Sequence, residues 1–119
     1  MATRFLATLG MTLVFIAACN KRYENAVGDT DRGQQLITQY GCTSCHTIPG
    51  IKGPKGVVGP PLEKMALRTF IAGKVQNTPQ NMIAWLQNPQ AFDPANAMPN
   101  LNIKPDDARD ITAYLLTLK

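Results

Sequence analysis

The chain has 119 residues, 45% of them hydrophobic, with 12 Lys and Arg against 8 Asp and Glu for a net charge of +4. That length suits one small domain, the apolar share argues against disorder, and the absence of like-charge blocks leaves no basic patch for a nucleic-acid partner. Nine Gly and nine Pro imply long shaped loops, while three Cys and one His leave few residues for metal or redox chemistry.

Residues 1–18 carry Arg4 and then an apolar run from Phe5 to Ala18. The run is shorter than the ~20 apolar residues of a membrane-spanning helix, so it predicts an export signal. Its end, Ile16-Ala17-Ala18-Cys19, has the form of a bacterial lipobox: an aliphatic residue, two small residues, then Cys. This predicts cleavage after Ala18 and lipidation of Cys19. An ordinary secretory signal and an uncleaved anchor are the alternatives. Cysteine arithmetic favours lipidation, because the two remaining Cys then share one motif and no orphan thiol is left in an oxidising compartment. Residues 19–28 read as a lipidated polar tether and 29–119 as the folded domain. The expected location is the bacterial cell envelope, lipid-anchored to a membrane and facing the periplasm or extracytoplasmic side.

A first helix is predicted from Asp29 or Thr30, either of which can cap it, to about Tyr40. Leu36, Ile37 and Tyr40 supply its apolar face, and Gly41 stops it. Cys42-Thr43-Ser44-Cys45-His46 follows, the C-x-x-C-H pattern of c-type haem attachment. Two intervening residues let both thiols reach the vinyl groups along one porphyrin edge, and the next residue sets an imidazole under the iron. A zinc site fails for want of a second Cys/His pair, and a thiol redox pair lacks its βαβ context. Residues 47–61 are rich in Gly and Pro without helical period and read as a haem-edge loop. Leu62 to Met65 predicts a short helical turn. Thr78-Pro79 gives a cap and an N1 proline for a helix to about Gln87, ended by Asn88-Pro89. Residues 88–104 form a loop. Pro105, Asp106 and Asp107 begin a last helix, with Ile111, Leu115 and Leu118 as its buried stripe. No strand-like alternation and no repeat is visible.

With a single His, the second axial ligand must be another donor, and Met is available; a His/Met pair raises the reduction potential. Met98 lies in the loop, beside a Pro99 that stiffens the chain, and is the first choice. Met82 and Met65 are the alternatives, each also readable as core filling.

These residues together resemble a class I cytochrome c over Asp29 to Lys119: an all-α fold with crossed N- and C-terminal helices around one covalently bound haem c. In that family the helix-crossing glycine meets an aromatic residue, which implies contact of Gly33 with the Ala113-Tyr114-Leu115 stretch. Gly59-Pro60 resembles the loop whose proline carbonyl accepts a hydrogen bond from the proximal His, here Pro60 and His46. The stretches CHTIPGIKGPKGVVGPPL, RTFIAGKVQNTPQNMIAWLQNPQAFDPANAMPNL and DITAYLLTL are similar to the cytochrome c domain of subunit II of bacterial haem–copper oxidases. That similarity implies Arg68 and Trp85 as partners of the haem propionates. A solvated Arg68 and a core Trp85 are the alternatives. Unlike subunit II, this sequence carries no copper-binding domain.

The resemblance implies a membrane-tethered, non-enzymatic carrier of single electrons in a respiratory chain. A haem–copper terminal oxidase is the expected acceptor and a quinol-oxidising complex the expected donor, with no nucleic-acid partner. A haem enzyme or gas sensor with a labile distal Met, and an accessory subunit of a respiratory complex, are the competing readings. Lys52, Lys55, Lys64 and Lys74 flank the haem motif, and Glu63 is the lone acid between His46 and Asp93. The asymmetry predicts a basic docking face; ordinary solvated lysines are the alternative.

Overall fold

A computed structural model describes residues 27–119. The expected signal segment 1–18, Cys19 and the tether up to residue 26 lie outside the described residues. Among the described residues, three helices carry the fold: α1 (Thr30–Gln39), α2 (Pro79–Gln87) and α3 (Pro105–Leu115). Short 3-10 turns at Cys42–Ser44, Met65–Leu67 and Pro89–Ala91 shape the connections.

Local chemistry explains the helix starts. Asp29 caps α1 by accepting the Arg32 N–H at 2.9 Å, and Thr78 caps α2 by accepting the Asn81 N–H at 3.2 Å. Each side-chain oxygen satisfies a donor that has no partner within its helix. Pro79 and Pro105 stand at the first helical position, where a missing N–H costs nothing. Gly41, at φ +70°, turns the chain out of α1.

α1 crosses α3, and α2 packs on α3. Ile37 and Ile111 are each about 1% exposed, and burial of such a side chain stabilises the fold by roughly 1.5–3 kcal/mol. The crossing is set by Gly33 against the backbone of α3. A Cβ at Gly33 would lie 2.0 Å from the Asp110 carbonyl oxygen, so helix backbone meets helix backbone. Tyr114 sends its hydroxyl to the Pro49 carbonyl, 2.8 Å away, and fastens the long loop to α3. Polar contacts hold the same crossing. Arg32 pairs with both Asp107 and Asp110, and the Tyr40 hydroxyl donates to Asp107 at 2.7 Å. Gly28, at the end of the expected tether, already abuts Asp110 and Arg109.

Three expectations change. Phe70–Ile71 and Val75–Gln76 form an antiparallel hairpin with Ile71 opposite Val75. Two-residue strands have no room for visible alternation. The turn between them uses Ala72 at φ +49° and Gly73 at φ +67°, a pair in which alanine masks the usual turn signal. The short turn expected at Leu62 to Met65 begins at Met65, because Lys64 takes a left-handed conformation at φ +54°. Leu118 lies beyond the end of α3, where its carbonyl accepts the Ala66 N–H at 2.9 Å.

Candidate functional site

The helical turn after Gly41 brings the motif residues together. The Cys45 and His46 N–H groups both return to the Cys42 carbonyl, at 3.2 and 3.0 Å. Positions i, i+3 and i+4 of a helical turn share one side, and Cys42, Cys45 and His46 all line one cavity of about 270 Å³. Burial pushes the Cys42 thiol up to about 11.

The Gly/Pro-rich loop closes on the motif. Gly59 donates its N–H to the Cys45 carbonyl at 2.8 Å, and Gly56 to that of Thr43 at 3.0 Å. A Cβ on Gly59 would stand 2.3 Å from His46 Cε1, so only glycine lets the backbone lie against the imidazole. The chain then delivers the Pro60 carbonyl to His46 Nδ1 at 2.7 Å. A carbonyl only accepts, so Nδ1 carries the proton and Nε2 keeps its lone pair for a metal.

Three thioethers line the same cavity: Met65, Met82 and Met98. Met65 and Met82 are core residues, 4% and 2% exposed, on the 3-10 turn and on α2. Met98 enters from the loop and is half-buried. Trp85 is buried, stacks at a tilt on Phe92 with ring centroids 6.0 Å apart, and lines the cavity as well. It is therefore both a core residue and a wall of the site. Arg68 is half-buried. Its guanidinium donates to the Pro61 and Glu63 carbonyls at 2.5 and 2.9 Å, while the side chain lines the cavity.

Sequence reasoning missed the residues that support these groups. Asn77 donates from its side chain to the Met65 and Arg68 carbonyls at 2.8 and 2.9 Å, bracing that turn. Tyr40 lines the cavity and ties it to the Asp107–Arg32 cluster. No local pattern marks Asn77, because its partners lie 9 and 12 residues away.

The donor set suits haem c. Two thiols and an imidazole come from one turn, thioethers line the same space, and most of the remaining wall is aliphatic or aromatic. Val58 and Phe70 also line the cavity while 77% and 54% exposed, apolar surface that a flat apolar group would cover. Among the described residues, no three His, Cys, Asp or Glu are grouped to hold a metal ion by themselves.

Comparison with known proteins agrees with this geometry. The cytochrome c family model matches residues 30–119. Cytochrome c oxidase subunit 2 of Alkalihalophilus pseudofirmus is 30% identical over 90 residues, which are 75% of this chain and 25% of that protein. Subunit 2 of Bacillus subtilis is 29% identical over 85 residues, covering 70% of this chain and 24% of the relative. The chain thus spans about a quarter of the length of these curated relatives. Among solved structures, cytochrome c2 of Rhodobacter sphaeroides superposes with a TM-score of 0.53 at 20% identity, over 76% of this chain and 96% of that one. The chain belongs to the cytochrome c family, with the class I fold and the covalent haem c and electron-transfer role that the family implies.

Proposed function

We propose that this protein is a lipid-anchored carrier of single electrons with one haem c, held covalently by Cys42 and Cys45 and ligated by His46 and Met98. The observation that carries the reading is the His46 Nδ1 to Pro60 contact at 2.7 Å, beside both thiols of the motif. Haem c, when bound, supplies a one-electron Fe(III)/Fe(II) couple. His46 offers Nε2 as the proximal ligand, and the Pro60 carbonyl fixes its tautomer and ring direction. Met98 offers a soft sulfur, which favours a high potential and leaves no open position for a substrate. Arg68, already oriented by two carbonyls, contributes positive charge for the propionates, and the aliphatic walls exclude water.

Likeness to the oxidase subunits supports a haem–copper terminal oxidase as acceptor, with a quinol-oxidising complex as donor. The Ile16-Ala17-Ala18-Cys19 pattern supports a lipid anchor at Cys19. Among the described residues, no helix is long and apolar enough to cross a membrane. Diffusion in the membrane plane would then limit the search for partners to two dimensions.

The test is a pair of spectra. Met98→Ala loses the weak long-wavelength ferric band of Met-ligated haem and binds CO in the ferrous state, with haem retained after acid–acetone extraction. Met82→Ala keeps the band. The reverse pattern refutes the ligand assignment, and wild-type protein that binds CO readily favours a sensor or enzyme instead. Mass spectrometry of the native N-terminus decides the anchor: a mature chain without lipid on Cys19 removes it.

A further inference from the structure

Met98 stands in a stretch without helix or strand, between the Pro89–Ala91 turn and α3. A ligand on such a segment needs its backbone held by something other than regular structure. Both polar groups of the Met98 backbone are held by side chains. The Asn96 Oδ1 accepts the Met98 N–H at 2.8 Å. The Gln90 side-chain amide donates to the Met98 carbonyl at 2.6 Å, with the Asn96 carbonyl further off at 3.4 Å. Pro99 then restricts the next φ.

Gln90 reaches this point from a firm base. It sits on the turn that follows α2, beside Pro89, whose side chain is among the most deeply buried in the protein. The Phe92 and Asp93 N–H groups both donate to the Pro89 carbonyl at 3.1 Å. One amide therefore connects an anchored turn to the loop eight residues later.

We infer that Gln90 is a positioning residue for Met98: its amide, with Asn96, clamps the loop so that the thioether stays over the haem iron. The inference rests on the reading of Met98 as distal ligand. A hydrogen bond between half-buried groups is worth only a modest net free energy, so the clamp acts on how often the ligand leaves, and the domain folds without it.

The experiment uses the ferric holoprotein and saturating imidazole, where the exchange rate reports rupture of the Met98–iron bond. Gln90→Met matches the side chain in length and lacks the donor. Gln90→Glu at neutral pH presents only acceptors to the two carbonyls. Both should raise the exchange rate about fivefold or more, the factor of one ordinary hydrogen bond, and should speed hydrogen exchange at the Met98 amide. Asn96→Ala should act likewise, whereas Asn96→Asp, which keeps the acceptor, should stay near wild type. Ala113→Gly serves as the control, a buried α3 change that lowers stability away from the cavity. Exchange that is unchanged in both Gln90 variants overturns the clamp. So does an acceleration no larger than that of Ala113→Gly at equal loss of Tm. A wild-type spectrum without the Met band overturns the ligand assignment itself, and the two failures are told apart by that band.

Discussion

Replacing Gly33 by Ala sets helix propensity against packing, and the two effects have opposite signs. In an isolated helix the change stabilises by about 1 kcal/mol, because glycine has more backbone freedom to lose. In this fold the new Cβ would stand 2.0 Å from the Asp110 carbonyl oxygen and 2.6 Å from its carbon, where ordinary contact begins at 3.4 Å. The obstacle is helix backbone, which has no rotamer to change. α1 must therefore retreat from α3 by more than an ångström, loosening the Arg32 and Tyr40 contacts to Asp107 and the burial of Ile37 and Ile111. Overpacking of this kind costs typically about 1–3 kcal/mol and more where backbone must shift. The upper part of that range applies, so the net loss after propensity is about 2 kcal/mol or more. For a domain of this size the loss corresponds to a fall in Tm of roughly 8–16 °C. Thermal unfolding of the holoprotein, followed by far-ultraviolet circular dichroism and Soret absorbance, measures it. A Tm at or above wild type would refute the backbone-to-backbone crossing.

The other predictions concern acid stability, the hairpin and docking. The Tyr40 hydroxyl and Arg32 hold the Asp107 carboxyl below its usual range, so its contribution is present above the unfolded value of 3.8 and lost as pH falls through the folded one. Tyr40→Phe removes the larger cause, and its acid-unfolding midpoint should move to higher pH; an unmoved midpoint refutes the link. The bond to Asp107 likewise raises the Tyr40 hydroxyl above 10.0, so wild type should lose stability above that pH and Tyr40→Phe should lose less, the remainder coming from the half-buried Tyr114 hydroxyl. Ala72→Gly relieves the left-handed φ of +49° at some cost in unfolded-state entropy, for a net gain of about 0.5 kcal/mol and a Tm higher by about 2–4 °C; a lower Tm refutes the strain. Lys52, Lys55 and Lys64 are exposed, as are Val57 and Val58, while Lys74 lies 3.9 Å from Asp93. On the proposed reading, electron transfer to an acidic partner face should slow several-fold between roughly 10 and 200 mM salt as the Debye length shrinks from about 30 Å to below 10 Å. A flat salt response that Lys52→Glu and Lys55→Glu leave unchanged removes the basic face.

What could be read from sequence is what short-range physics decides. Asp29 and Thr78 start helices because the donors they cap lie within one turn, Pro79 and Pro105 because the first helical position needs no N–H, and Asn88-Pro89 marks the end of α2. The spacing of Cys42, Cys45 and His46 carries its chemistry in five residues. The Asp110 carbonyl against Gly33 could not be read, since that contact depends on how two helices far apart in sequence cross. The Ala72-Gly73 hairpin escaped because its strands are too short for a period and its turn uses a residue that usually avoids positive φ. Three methionines reach one cavity, and sequence separated them only by their surroundings; burial then sets Met65 and Met82 in the core and leaves Met98 on a loop. The supports of the site, Asn77 under Met65 and Arg68 and Gln90 under Met98, came only from the folded chain. Each joins a side chain to a backbone carbonyl, and every residue has one, so no residue type marks the acceptor until the chain has brought it within about 3 Å.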